Sequence, residues 1–182
     1  MLLPGILASG ITGNLSTNNF TSIATATVDS GGASSITFSS IPSTYTHLQI
    51  RMIGQGTSSG ASNICPMTFN GSSTGYYMHQ IYGEGSAAHA NADNTSTSID
   101  TFYITGSSQS TVWGGGVMDI LDYANTNKYK VTRTFSGNNY NSGGLILTRS
   151  GLWQNTAAIT SISFTTNSNF AQYTQFALYG VK

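Results

Sequence analysis

The chain is built from short segments in which apolar and polar residues alternate. Leu48, Ile50 and Met52 alternate with polar neighbours, and Ile162 and Phe164 do the same closer to the carboxyl end. A period of two is typical of half-buried β-strands, and the segments are rich in β-branched and aromatic residues. We therefore predict about ten short strands, from eleven candidate segments at 22–28, 36–38, 47–52, 67–70, 76–82, 99–105, 117–121, 128–135, 144–153, 161–165 and 176–179.

Clusters of Gly, Asn, Asp and Ser separate these segments and predict turns. They lie at 29–32, 70–71, 106–108, 136–139 and 141–144, and the Asn-Gly pair at 70–71 is the strongest hairpin candidate. A helical period is missing from the sequence, apart from one short turn that fits 122–127. The pattern predicts an all-β fold: an antiparallel β-sandwich, jelly-roll-like, with an amino-terminal arm.

The amino-terminal segment differs from the rest because it is apolar and uncharged. Pro4 and Gly5 interrupt its apolar run, and it has no basic region like that of a secretory signal. Two readings stay open: a strand packed on its own domain, or an arm that docks onto a neighbouring subunit. We divide the chain into a docking arm, 1–20, and a single sandwich domain, 21–182. The arm residues expected to contact a partner are Leu2, Leu3, Ile6, Leu7 and Ile11.

The amino-acid composition excludes some classes of binding partner. Ser, Thr, Gly and Asn make up nearly half of the chain, and charged residues are 7%, with a net charge of zero; about a quarter is usual. Six cations in the whole chain do not make the basic patch that nucleic-acid binding needs. No apolar run approaches the ~18 residues of a membrane helix. Ten Tyr, eight Phe and two Trp supply a core and argue against disorder.

The two candidates for a catalytic nucleophile, a serine and a cysteine, lack the sequence context that activates such residues. The segment 56–60 matches G-x-S-x-G, but that motif needs a strand before the serine and a helix after it, and we predict no helix there. Cys65 has no His or cation within ten residues to activate its thiol, so we expect it to be a buried apolar side chain. One cysteine also excludes a disulfide framework.

Two groups of residues contain the side-chain types that bind metals or act as catalytic acids and bases. His79, Glu84 and His89 are spaced at five residues, which fits no ligand face of a regular element. Asp119 and Asp122, with Glu84, motivate a glycan hydrolase, which uses two carboxylates across a sugar bond. In a strand, however, residues three apart point to opposite faces. We expect no catalytic residue, no metal and no cofactor.

The residue types of the predicted surface indicate that ligand contacts would be made by aromatic and amide side chains. The polar segments 55–63 and 83–98 are predicted to be exposed loops at one end of the sandwich, where binding sites often lie. Rigid aromatic side chains beside amides give contact area at low entropic cost. The aromatic side chains considered, each with a core position as the alternative, are Tyr76, Tyr77, Tyr82, Tyr103, Trp113, Tyr123, Tyr140 and Trp153. The candidate ligand contacts are Tyr76, Tyr77, Tyr82, His89, Asn91 and Asn94.

Several blocks of sequence are specific when taken together. They are MLLPGILAS at 1–9, SITFSSIPSTYTHLQIR at 35–51, TFNG at 68–71, IYGEG at 81–85, DILDYANTNKYK at 119–130 and FALYGVK at 176–182. In these blocks the chain resembles a family of small structural proteins of tailed bacteriophages, variously of tail-fibre, tail or capsid-associated type. The resemblance covers nearly the whole chain and carries no catalytic motif.

The resemblance implies a place on the virion, after synthesis in the cytoplasm of the bacterial host. We expect a non-enzymatic structural protein on the particle exterior, of tail-fibre or receptor-binding type, that contributes to host attachment. The alternatives are a capsid decoration (cement) protein that stabilises the head, and a tail-associated glycan hydrolase. Expected partners are further copies of the chain in a homotrimer, tail or capsid proteins, and a host cell-surface glycan or protein. Nucleic acid and membrane insertion are not expected.

Overall fold

The computed structural model describes residues 19–140 and 143–182, and these residues are almost entirely β-structure. Within them, no helix has the length and apolar character to cross a bilayer. A short 3-10 turn, Ser107–Gln109, interrupts the strands. The strands are β1 (Phe20–Thr27), β2 (Ala33–Phe38), β3 (His47–Gly54), β4 (Ser62–Phe69), β5 (Tyr76–Gly83), β6 (Ala88–Ser96), β7 (Ile99–Thr105), β8 (Gly114–Leu121), β9 (Lys130–Tyr140), β10 (Gly143–Trp153), β11 (Ile162–Phe170) and β12 (Gln175–Val181).

The strands form two antiparallel sheets that pack face to face, which confirms the predicted sandwich. The large sheet has the order β1-β12-β3-β8-β9-β10-β5-β6, and the small sheet has the order β2-β11-β4-β7. The pairs β1–β12, β2–β11, β3–β8 and β4–β7 are nested along the chain, which is the winding of a jelly roll. The hairpins β5–β6 and β9–β10 are insertions into that winding. They pair with each other through β10 and β5 and extend the large sheet beyond β8.

An apolar core fills the space between the jelly-roll strands. Leu48 and Ile50 of β3 are fully buried, as their alternation predicts. Phe164 and Phe176 lie opposite each other across the two sheets, with ring centroids 4.7 Å apart, and Phe102 packs against both. Aromatic pairs at such distances contribute beyond the apolar area that they bury. This cluster holds the small sheet against the centre of the large one.

The interior is polar where the inserted hairpin β9–β10 covers β7, the edge strand of the small sheet. Ser136 Oγ accepts a hydrogen bond from the Tyr103 amide at 3.0 Å and donates to the Gly115 carbonyl at 3.1 Å. Asn138 Nδ2 donates to the Ile104 carbonyl at 3.3 Å. These side chains satisfy backbone groups on the free edge of β7, which would otherwise be buried without partners.

Strand β9 therefore alternates as predicted, but its inward-facing side chains are polar, unlike those of an ordinary amphipathic strand. Thr132, Thr134 and Ser136 point into the sandwich, whereas Phe135 points to solvent. Lys130 is also buried, and its ammonium group donates to three backbone carbonyls at 2.6–3.0 Å. Burial lowers the pKa of Lys130.

Arg149 of β10 is the second buried cation on this side of the molecule. Its Nε donates to Gln80 Oε1 at 2.9 Å, and one terminal nitrogen donates to the Thr101 carbonyl at 3.3 Å. It thus joins both inserted hairpins to β7. Because its hydrogen-bond partners are themselves buried, loss of the guanidinium would leave acceptors unsatisfied.

Two predicted loop regions are strands in the structure. The segment predicted as a loop at 83–98 contains β6, whose Ala88, Ala90 and Ala92 alternate with polar residues and pair with β5. The turn predicted at 136–139 lies inside β9, which stays paired with β10 as far as Tyr140 and Gly143. In both places Gly, Asn and Ala are accepted because cross-strand pairing outweighs their low strand propensity.

Three consecutive glycines begin β8 and have different surroundings. A β-carbon on Gly114 would lie 2.7 Å from Ile104 Cα and press on the Tyr103 carbonyl. A β-carbon on Gly116 would lie 2.5 Å from Cδ1 of the Phe102 ring. On Gly115, by contrast, the nearest atom would be the Met52 carbonyl oxygen at 3.8 Å. The inward-facing glycines let β7 approach β8 closely, and Gly115 faces open space.

We predict opposite effects for alanine at these neighbouring positions. Gly114→Ala should lower the free energy of unfolding by about 1–3 kcal/mol or more, because backbone atoms of β7 must move. Gly115→Ala should leave it unchanged or raise it by up to about 1 kcal/mol, since alanine fits the strand and restricts the unfolded chain. Urea unfolding followed by circular dichroism measures both values. Equal stability of the two variants would contradict the close packing of β7.

We also predict that Cys65 is unreactive in the folded protein. Its side chain is fully buried, and burial, with Asp100 as a smaller contribution, raises the pKa of the thiol. The nucleophilic thiolate is therefore scarcer than for a free cysteine at the same pH. Reaction with Ellman's reagent at about pH 8 should be negligible in buffer and complete in urea. Rapid labelling without denaturant would overturn this prediction.

Candidate functional site

The predicted ligand contacts on β5 and β6 do not form one surface. Tyr76 lies in the core, so its prediction as a ligand contact is wrong. Its hydroxyl accepts from the Phe69 amide at 2.8 Å and donates to the Ser72 carbonyl at 3.2 Å, and its ring stacks on Trp153 with centroids 6.2 Å apart. Adjacent tyrosines in a strand point to opposite faces of the sheet, and here Tyr76 is the one that is buried in the core.

The other predicted residues divide between the two faces of the large sheet. Tyr77 lies on the outer face, where its hydroxyl donates to Gln154 at 3.1 Å. Tyr82 and His89 are directly opposite on the inner face and stack with centroids 4.7 Å apart. Asn91, two residues from His89, is exposed on that same face. Asn94 is also exposed, farther along β6. The structure thus brings Tyr82, His89 and Asn91 together and leaves the others apart.

The candidate carboxylates are each held by another side chain. Asp119 accepts from Gln49 Nε2 at 2.9 Å, and Glu84 pairs with His89 at 3.0 Å. Asp122 pairs with the Lys128 ammonium group, which lowers the pKa of that carboxyl. A glycosidase acid needs the opposite shift, because it must hold a proton near neutral pH. Among the described residues, no three His, Cys, Asp or Glu side chains are grouped to hold a metal ion.

The G-x-S-x-G segment does not adopt the geometry of a catalytic serine. Ser58 Oγ donates to Asn63 Oδ1 at 2.5 Å, and the Ser58 amide donates to Ser168 Oγ at 3.1 Å. The segment leads into strand β4, which begins at Ser62, and not into a helix. The serine therefore ties a surface loop to its neighbours.

A contiguous apolar surface covers the outer side of the inserted hairpins. Ile81, Phe135 and Ile146 are 60%, 55% and 55% exposed. Thr148 lies between Phe135 and Ile81 in the cross-strand register, and Ala90 lies beyond Ile81. We call this surface the apolar face. Contiguous exposed apolar patches on soluble proteins commonly mark sites of contact with a partner or ligand.

A groove opens at the end of the apolar face nearest the turns of the inserted hairpins. Its floor is a cross-strand row in which Gly115 is opposite Gly137, Gly137 is opposite Ile146, and Ile146 is opposite Gly83. Because three of these four positions have no side chain, the row forms a trough across the strands. The groove has a volume of about 820 Å³, which is in the range of ligand-binding clefts. We call it the glycine-floored groove.

Aromatic side chains form the walls of the glycine-floored groove. They are Trp113 and Phe135. Tyr140, at the end of β9, packs against Gly143 across the β9–β10 hairpin, where a β-carbon would lie 3.0 Å from the ring. The walls are therefore contributed by two separate segments: the approach to β8 and the middle of β9.

Buried polar groups fix the loop that carries Trp113. The Gln55 side-chain amide donates to the Gln109 carbonyl at 2.8 Å and to the Val112 carbonyl at 3.0 Å. The Thr105 hydroxyl donates to the same Val112 carbonyl. Gln55 and Thr105 are both buried, so the loop is anchored from inside the sandwich. The aromatic wall is thereby positioned before any ligand arrives.

Part of this groove could be predicted from the sequence. Trp113 and Tyr140 are among the predicted aromatic surface candidates but not among the predicted ligand contacts. Phe135 was missed, since an apolar residue in an alternating strand predicts the core. The glycine run 114–116 was the available signal, because glycine inside a strand indicates a close approach or an open cleft. The predicted arm residues lie outside the described residues; they are Leu2, Leu3, Ile6, Leu7 and Ile11.

Comparisons of the chain with models of known families, with curated proteins and with solved structures found no match.

Proposed function

We propose that the protein is a non-enzymatic structural protein on the exterior of a tailed-bacteriophage particle, of tail-fibre or receptor-binding type, that contributes to host attachment. The observation that carries the proposal is the preformed contact surface on the inserted hairpins. The apolar face and the glycine-floored groove are exposed and adjoin each other, and Phe135 and Ile146 belong to both.

The chemistry of this surface favours binding over catalysis. Its exposed side chains are mainly apolar, aromatic or amide groups, which make contacts but do not transfer protons at neutral pH. The carboxylates considered for glycan hydrolysis are engaged by Gln49, Lys128 and His89. A contact surface without an acid–base pair is what an attachment protein requires.

The placement on a phage particle rests on the sequence resemblance. The fold is compatible with it, because jelly rolls occur in viral capsid proteins and in lectins. Fold alone does not fix function, however, and the same winding serves unrelated proteins. The contact surface supplies the argument for binding, and the resemblance supplies the argument for where the binding takes place.

Assembly belongs to the same proposal. The resemblance implies a homotrimer, because small β-sandwiches of phage particles typically assemble as trimers, and the buried subunit interface would add stability. The apolar arm, with Leu3 and Leu7 among its side chains, is proposed to dock onto a neighbouring tail or capsid protein. Exposed apolar residues have a free-energy cost in water that such docking removes.

Location on the particle tests the proposal directly. Cryo-electron microscopy of virions from the parent phage, with the chain located by its density, should place it on the outside of the tail. Copies spread over the head lattice would instead support the alternative role as a cement protein. Absence of the chain from purified, infectious particles would contradict both roles.

Substitutions in the arm test docking separately. A full-length variant with Leu3→Ser and Leu7→Ser should fold with an unchanged melting temperature but should be depleted from virions, because the apolar contact is lost. Thr25→Ser, an exposed change on β1, serves as the matched control. Quantitative immunoblotting of purified particles measures incorporation. Normal incorporation of the double variant would exclude the arm as the docking element.

A further inference from the structure

We propose that the glycine-floored groove binds a neutral sugar unit of a glycan. The inference deepens the proposed attachment role and rests on it for the source of the glycan, the host surface. The binding chemistry itself is argued from the groove.

The shape of the groove fits a flat ring. Gly115 and Gly137 give its floor no side chains, so a ligand can approach the backbone of β8 and β9. Trp113 and Phe135 stand at its walls and offer flat apolar surfaces. A pyranose ring has an apolar C–H face that packs on such rings, as large aromatic side chains with polar neighbours provide both area and specificity.

Polar groups at the rim fit sugar hydroxyls. Asn139 is exposed at the edge of the groove, and its amide can both donate and accept. The Glu84 carboxylate is bonded to His89 on the inner face, so the Asn139 amide and the backbone groups of the glycines are left to meet the sugar. Hydroxyl groups are donors and acceptors at once, so they can be satisfied by this mixed set.

The charge of the groove selects neutral ligands. Among the described residues that line it, Glu84 is charged and there is no Lys or Arg. Phosphate, sulfate and carboxylate groups are usually bound by cations or by clustered backbone amides. An anionic ligand would find no cation in this lining to compensate its charge. Acidic sugars and phosphorylated polymers are therefore disfavoured, and hexoses and N-acetylhexosamines are favoured.

The groove is rigid, which lowers the entropy lost on binding. Buried Gln55 and Thr105 anchor the Trp113 loop, and Tyr140 is packed against Gly143. Preorganised sites retain more of their contact energy as affinity.

Binding to an array of neutral and acidic oligosaccharides tests the proposal with the full chain. At least one neutral glycan should bind, and isothermal titration with that glycan then gives its affinity. Trp113→Ala and Phe135→Ala should each weaken binding about tenfold or more. Ligand should also change the fluorescence of Trp113, because it is half-exposed whereas Trp153 is buried.

Gly115→Val is the sharpest variant. Its side chain would project into the groove from a position where a β-carbon has no atom closer than 3.8 Å. It should abolish sugar binding while leaving the melting temperature unchanged. Thr25→Val, the same new side chain on the exposed part of β1, should bind like the natural chain. This pair keeps the test valid if truncation of an aromatic wall destabilises the fold.

Three results would overturn the inference: no binding of any neutral glycan at about millimolar concentration, binding of acidic glycans alone, or unchanged binding by Gly115→Val. These results are distinguishable from failure of the proposed function. A chain found on the virion that binds no sugar refutes the groove assignment alone. A chain that binds neutral sugar but is missing from the virion refutes the phage placement alone.

Discussion

The structure depends on how the free edge of β7 finds its hydrogen-bond partners. An edge strand inside a sandwich exposes a row of backbone groups that must be satisfied. Here side chains of the large sheet satisfy them: the Ser136 hydroxyl at Tyr103, the Asn138 amide at Ile104 and the Arg149 guanidinium at Thr101. These hydrogen bonds hold the inserted hairpins on the jelly roll in a defined geometry, beside the apolar contacts that Tyr76 and Trp153 make with Phe69. The glycines that begin β8 allow the approach, since a side chain on Gly114 would collide with β7.

The same constraint shapes the outer surface. Because β9 directs hydroxyl and amide groups inward to meet β7, its alternation places Phe135 outside. Ile146 and Ile81 follow on the paired strands, and together they make the apolar face. The polar inner side and the apolar outer side of β9 therefore have the same cause, namely which of its alternate residues face β7. The jelly-roll strands supply most of the buried apolar side chains, and the insertions supply the surface that we assign to binding.

The sequence predicted the parts of the fold where periodicity and burial agree. Leu48 and Ile50 on β3, and Phe176 on β12, are buried as their alternation indicates. It could not predict β6, because Ala and Asn have weak strand propensity and the strand depends on pairing with β5. It could not fix the face of β9, because that face is set by β7, a distant segment. Tyr76 was misassigned for a similar reason: period two does not say which of two adjacent tyrosines turns inward.

The two ends of the described sandwich meet at one edge of the large sheet. β1 and β12 are paired there, and the Lys182 amide donates to the Asn19 carbonyl at 3.2 Å. The inserted hairpins extend the sheet at the opposite edge, with β6 outermost. The described ends, Asn19 and Lys182, therefore lie at the edge opposite the inserted hairpins. A carrier fused after Lys182 would start at the edge of the sheet farthest from β6, away from the groove residues on β9 and β10.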